Sequence, residues 1–219
     1  MSQPICTIVG MGPGLGYSIA KKFGSEGFGI AMVARDLKKL TKLELDLKDE
    51  GVESYSFTGD ASDELSLKST FELINSELGS TDVLIYNAAA LKRGDPMSTS
   101  VQEMNNDFKV NVAGALIASQ IVAPSMIENK KGTIILTGGG LAITPFHSYF
   151  SLAVGKAGIR NFTFSLAGEL EPHGINVGTV TICGIVKPGT KFDPNVIAEE
   201  YWKIYSQKGG TRLREILFQ

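Results

Sequence analysis

Two hydrophobic rhythms alternate along the chain. Short, nearly continuous apolar runs end in glycines or polar turns: Ile5–Val9, Gly29–Ala34, Val52–Thr58, Val83–Tyr86, Thr133–Thr137 and Ile175–Ile182. These lengths predict strands buried on both faces. Between them, apolar residues recur every three or four positions, as in Ile19, Ala20 and Phe23 of Leu15–Gly24. Leu37, Leu40, Leu43 and Leu47 repeat the pattern up to Gly51, and Leu67, Phe71, Ile74 and Leu78 repeat it within Asp63–Leu78. This spacing predicts helices. Two longer helical stretches run from about Val101 to Glu128 and from about Tyr149 to Glu171. Pro194–Gln207 reads as a last helix and Glu215–Phe218 as a short edge strand. Strands alternating with helices predict an α/β fold, a doubly wound parallel sheet with helices on both faces. Right-handed crossovers place every strand C-terminus on one edge, and ligands bind there beside the first strand.

Length and charge narrow the picture. A chain of 219 residues buries one good core, and no repeat, low-complexity tract or linker divides it, so one domain over 1–219 is expected. The formal net charge of -2 gives no bulk attraction for nucleic acid or an anionic membrane. Cys6 and Cys183 each lie in an apolar run. They suggest neither a disulfide framework nor a metal site. The opening residues enter a strand without a basic leader, and no apolar run approaches the ~20 residues of a membrane span. A cytoplasmic location is therefore expected, with no secretory signal and neither nucleic acid nor membrane as partner.

The clearest chemical signal is Gly10-Met11-Gly12-Pro13-Gly14-Leu15-Gly16, which joins the first strand to the first helix. Glycine there permits a tight turn, close approach of the backbone to a pyrophosphate, and close packing of helix on sheet. The helix N-terminus offers free N–H groups and the positive end of its dipole. Position between a strand and a helix of one βαβ unit points to dinucleotide binding.

Gly10, Gly14 and Gly16 give the spacing Gly-x-x-x-Gly-x-Gly. Asp60-Ala61 follows the third strand, Asn87-Ala88-Ala89 closes the fourth, Asn111 lies in a Val-Asn-Val-Ala-Gly stretch, and Lys156 opens Lys-Ala-Gly-Ile-Arg. Taken in order, from about residue 5 to 190, this set resembles the short-chain dehydrogenase/reductase superfamily. The resemblance implies a Rossmann-type sheet of about seven strands in the order 3-2-1-4-5-6-7. It also implies a small-molecule substrate and a dimer or tetramer built on the two long helices. The cofactor-binding set it implies is Gly10, Gly12, Gly14, Leu15, Gly16, Arg35, Asp60, Ala61, Asn87, Ala88, Lys156, Val186 and Thr190. Residues 187–210 would form a flap on the substrate side.

Arg35 ends the second strand, where NAD-preferring sites place a carboxylate. A guanidinium suits a 2′-phosphate, so the expected cofactor is NADP rather than NAD. Asp36 stands beside it and offers the opposite choice.

The family's proton chemistry uses a tyrosine four residues before the lysine, a spacing that brings side chains together. Here that position is Leu152, and the position of the family's serine, thirteen residues earlier, is Gly139. Lys156 and Asn111 remain as catalytic candidates, and Tyr149, seven residues before Lys156, is the candidate substitute phenol. Thr137 at a strand end reads as core. Two functions follow: an NADP-dependent oxidoreductase with an altered proton source, or a dinucleotide-binding protein without catalysis.

Overall fold

The computed structural model describes residues 3–207 and 212–219. Seven strands form one parallel sheet: β1 (Ile5–Val9), β2 (Gly29–Ala34), β3 (Ser54–Thr58), β4 (Thr81–Tyr86), β5 (Gly132–Thr137), β6 (Ile175–Ile182) and β7 (Glu215–Phe218). Their spatial order is β3-β2-β1-β4-β5-β6-β7, as expected. The order reverses between β1 and β4, whose residues pair from Ile5↔Thr81 to Val9↔Tyr86. A crevice opens beyond the C-terminal ends of these two strands.

Alternate residues of each strand feed two separate cores. Ile5 and Val9 of β1, with Leu84 and Ile134, pack beneath helices α3 (Glu64–Glu77), α5 (Gly114–Asn129) and α6 (Phe150–Leu170). Cys6 and Ile8, with Ile30 and Ile135, pack beneath α1 (Leu15–Ser25), α2 (Leu37–Asp49) and α7 (Pro194–Ser206). Burial on both faces explains the unbroken apolar runs.

Three differences from the sequence reading have physical causes. The expected flap does not extend over Pro194–Ser206. That segment is α7, with Ile197, Tyr201 and Ile204 fully buried against the sheet. Trp202 and Tyr205 pack edge-on against Phe23 at 5.3 and 5.8 Å, and Lys22 pairs with Glu199 at 3.0 Å. The helical period of its apolar residues marked a core helix, and the loop before it, 184–191, is exposed. The end of the expected flap, 208–210, lies outside the described residues.

The second difference lies in the first long helical stretch. It begins as α4 (Val101–Phe108), widens into a π turn over Lys109–Ala113 and continues as α5. Such turns relax the local helix register and often accompany functional sites. The third is its length: Val101–Asn129 is long and apolar enough to cross a membrane by composition alone. In this fold its Ala115, Ala118, Val122 and Met126 are buried in the core. The outward faces of α5 and α6 carry the half-exposed Leu116, Ile127, Val154 and Phe164.

Candidate active site

The glycine loop is built by the strands on either side of it. Gly10 has φ +91°, a left-handed conformation open to glycine. A Cβ added there would overlap the backbone of Asn87 and Ala88 at the end of β4. Its N–H donates to Val33 O at 2.9 Å, and its carbonyl accepts from Asn87 Nδ2 at 2.9 Å. Gly16 sits close to the backbone of Met11, where a Cβ would lie 3.3 Å from Cα. Gly12 and Gly14 differ: a Cβ on either would meet no protein atom within 4 Å. The fold itself does not need small residues at these two positions. The first N–H groups of α1, at Leu15 and Gly16, have no acceptor within the helix. Space over the glycines, free donors and a helix dipole fit a pyrophosphate.

A cleft of about 1010 Å³ continues from this loop along the ends of β1, β2 and β4. Gly10, Arg35, Asp60, Ala61, Asn87 and Ala88 line it. Burial pushes the Asp60 carboxyl up, but the N–H and hydroxyl of Ser62, at 2.8 and 2.7 Å, together with Arg35, bring it below its ordinary range. Arg35 is exposed at the cleft wall. Asp36, the alternative ribose partner, is turned away. It caps α2, accepting from Lys39 N at 3.2 Å and pairing with Lys39 Nζ at 3.2 Å. That backbone N–H holds its carboxyl below the ordinary value.

At the other end of the crevice, the π turn swings Asn111 toward α6. Asn111 Oδ1 accepts from Ala90 N at 2.7 Å, while its buried Nδ2 has no partner among the described residues. Gly155 of α6 approaches so closely that a Cβ there would meet the Asn111 side chain. Lys156 follows. Its stem lies over Gly139, where a Cβ would sit 3.3–3.4 Å from its methylenes, and its Nζ donates to Thr137 O at 2.6 Å. Burial lowers this ammonium to about 8. Leu152, one turn earlier on the same helix, is buried.

The remaining predicted residues are placed differently. Tyr149 precedes α6, and its hydroxyl accepts from Arg93 Nε at 3.1 Å, with the guanidinium 5.5 Å from the ring centroid. Paired backbone bonds between Gly94 and Ser148 and between Phe150 and Gly94 tie these two loops together. Tyr149 is thus fastened at the rim and does not line the 1010 Å³ cleft. Val186 is partly exposed in the loop after β6. Thr190 stabilises its own turn there, donating to Lys187 O at 2.8 Å and accepting from Phe192 N. Neither lines that cleft.

Two polar clusters escaped the sequence reading. Thr137 Oγ1 contacts both Asn87 Oδ1 at 3.0 Å and Tyr201 OH at 2.8 Å. Asp107 is buried, accepts from Ser151 Oγ at 2.6 Å and faces Lys92 at 3.7 Å. An acid one turn before Asn111 was the available hint for the second. The first joins residues 64 positions apart and left no local signal.

This sheet, its glycine loop and the lysine-bearing helix define a nicotinamide dinucleotide-binding oxidoreductase fold. Residues 4–200 match the family model described as short chain dehydrogenase, and the chain belongs to that family. It is 30% identical over 206 residues to a 2,3-dihydro-2,3-dihydroxybenzoate dehydrogenase of Bacillus subtilis (strain 168), covering 94% of this chain and 75% of that protein. It is 28% identical to the 3-oxoacyl-[acyl-carrier-protein] reductase FabG of Staphylococcus aureus (strain N315), covering 79% and 71%. Among solved structures, a metagenomic short-chain oxidoreductase in complex with NADP superposes with a TM-score of 0.90 at 26% identity, covering 99% of this chain and 97% of that one.

Proposed function

We propose that this protein is an NADP(H)-dependent oxidoreductase that delivers its proton without the family's tyrosine. The observation that carries the reading is Leu152, a buried aliphatic side chain one turn before Lys156. A bound nicotinamide supplies hydride transfer. The chain supplies position. The open backbone over Gly12 and Gly14 and the N–H groups of Leu15 and Gly16 hold the pyrophosphate. Arg35 takes the 2′-phosphate, Asp60 and Ala61 the adenine, and Asn87 and Ala88 the floor of the cleft. Lys156 holds the ribose, the backbone of Val186 the carboxamide, Thr190 the pyrophosphate or the carboxamide, and Asn111 orders water. With no phenol at position 152, the proton comes from water or from Tyr149 released by Arg93. This favours substrates that need little acid assistance, such as activated double bonds and imines.

The test pairs binding with turnover. NADPH is expected to bind more tightly than NADH, and Arg35→Ala to lose about tenfold of NADPH affinity while leaving NADH unchanged. With NADPH, enones and imines are expected to turn over faster than simple ketones. Tighter NADH binding, insensitive to Arg35→Ala, overturns the cofactor choice, and silence across the whole panel overturns the catalytic reading.

A further inference from the structure

Thr137 ends β5 with its hydroxyl inside the protein. Its neighbours Ile134, Ile135 and Leu136 are fully buried. Valine would fill the same space, and a buried hydroxyl is costly unless it is bonded. Three groups converge here. The hydroxyl lies 3.0 Å from Asn87 Oδ1 and 2.8 Å from Tyr201 OH, and the carbonyl accepts from Lys156 Nζ at 2.6 Å.

Counting protons gives the chain of bonds a direction. Gly10 O only accepts, so the Asn87 atom bonded to it at 2.9 Å is Nδ2, and Oδ1 faces Thr137. Oδ1 also only accepts, so the single proton of the Thr137 hydroxyl goes to it. Tyr201 must then donate to Thr137. Its phenol is fully buried and burial pushes its pKa up, so it stays a neutral donor. The sequence of donation is Tyr201 to Thr137 to Asn87 to Gly10, from the core helix α7 to the glycine loop.

We infer that Thr137 is a positioning residue for the cofactor. Its hydroxyl locks the Asn87 amide that holds the Gly10 carbonyl, while its carbonyl holds Lys156. One residue thereby sets the glycine loop and the ribose lysine relative to each other. Asn87 deprived of its Thr137 bond is free to rotate, and the Gly10 carbonyl loses its fixed donor. This inference rests on the cofactor reading above.

The experiment measures NADPH affinity by bound-cofactor fluorescence, beside thermal unfolding, for the wild-type chain and three variants. Thr137→Val is expected to weaken NADPH about tenfold and to lower Tm, since Tyr201 and Asn87 both lose a buried partner. Thr137→Ser is expected to restore affinity. The double variant Thr137→Val/Tyr201→Phe separates the two effects: without the stranded phenol proton, Tm is expected to recover while affinity stays low. Should Thr137→Val fail to fold, the serine and double variants still decide the matter. Wild-type affinity in a folded Thr137→Val, or affinity that recovers together with Tm in the double variant, overturns the inference. A wild-type chain that binds no NADPH defeats the cofactor reading, and this inference with it.

Discussion

At the glycine loop the surface facing the cleft is mostly backbone. Gly10 is wedged between β2 and β4, Gly12 and Gly14 leave open space, and the first turn of α1 offers its N–H groups. At the other end, the contacts depend on side chains: Lys156 on Thr137 O, Asn111 on Ala90 N, and Leu152 buried between them in sequence. A surface built from backbone depends on its glycines and on the few side chains, such as Asn87, that hold them in place. A site built from side chains changes its chemistry with one substitution and leaves the fold intact. On the function proposed above, the molecule keeps the first and departs from its family at the second.

The strongest way to break this comparison is at the glycines, which should not be equivalent. Gly10→Ala forces a Cβ into the backbone of Ala88 at positive φ, and is expected to cost more than about 4 kcal/mol or to prevent folding. Gly12→Ala meets no protein atom within 4 Å. Its stability is expected to stay within about 0.5 kcal/mol of wild type while NADPH binding weakens. Denaturant unfolding beside NADPH titration checks both, and equal effects of the two variants would show that the loop is merely structural.

At the other end, Leu152→Tyr places a phenol one turn before Lys156. Ketone reduction with NADPH is expected to rise about a hundredfold if only the acid is lacking. An unchanged rate in a folded, NADPH-binding variant would mean that more than the acid has been altered.

The smallest effect concerns Lys156, which stands between the two ends. Burial lowers its ammonium from 10.5 to about 8. Below the folded value both states are charged, and the burial penalty is present in full. Between the two values the unfolded chain holds a proton that the folded chain has released, so stability rises with pH. Lys156→Met removes both penalty and slope. Without cofactor, it is expected to be more stable than wild type at about pH 7, by a margin that shrinks toward about pH 10. A margin independent of pH would show that the penalty comes from packing instead.

The same contrast explains what could be read from the sequence. Apolar runs and glycine spacing are local patterns, and they predicted the alternation of strands and helices and the loop that β1 and α1 present, whereas the strand order was implied by the family resemblance. Asp36 offered two readings that composition could not separate, because its use as the α2 cap depends on backbone geometry. Residues 194–206 carried a core pattern that their place after β6 obscured. Tyr149 shared a helix face with Lys156, but its partner Arg93 lies 56 residues away. Likewise, Thr137 looked like one more core residue until the fold brought Tyr201 and Asn87 to it.

The aromatic packing of α7 has a spectroscopic consequence. Trp202 is the chain's single tryptophan, half-buried beside Phe23, Phe28 and Tyr205 with the Lys22 ammonium 5.6 Å from its ring centre. Intrinsic emission from this protein is therefore a local gauge, reporting how firmly α7 is seated on α1. Since Tyr201 stands one residue before the fluorophore on that helix, its colour and lifetime also follow the far end of the hydrogen-bonded line that reaches the glycine loop.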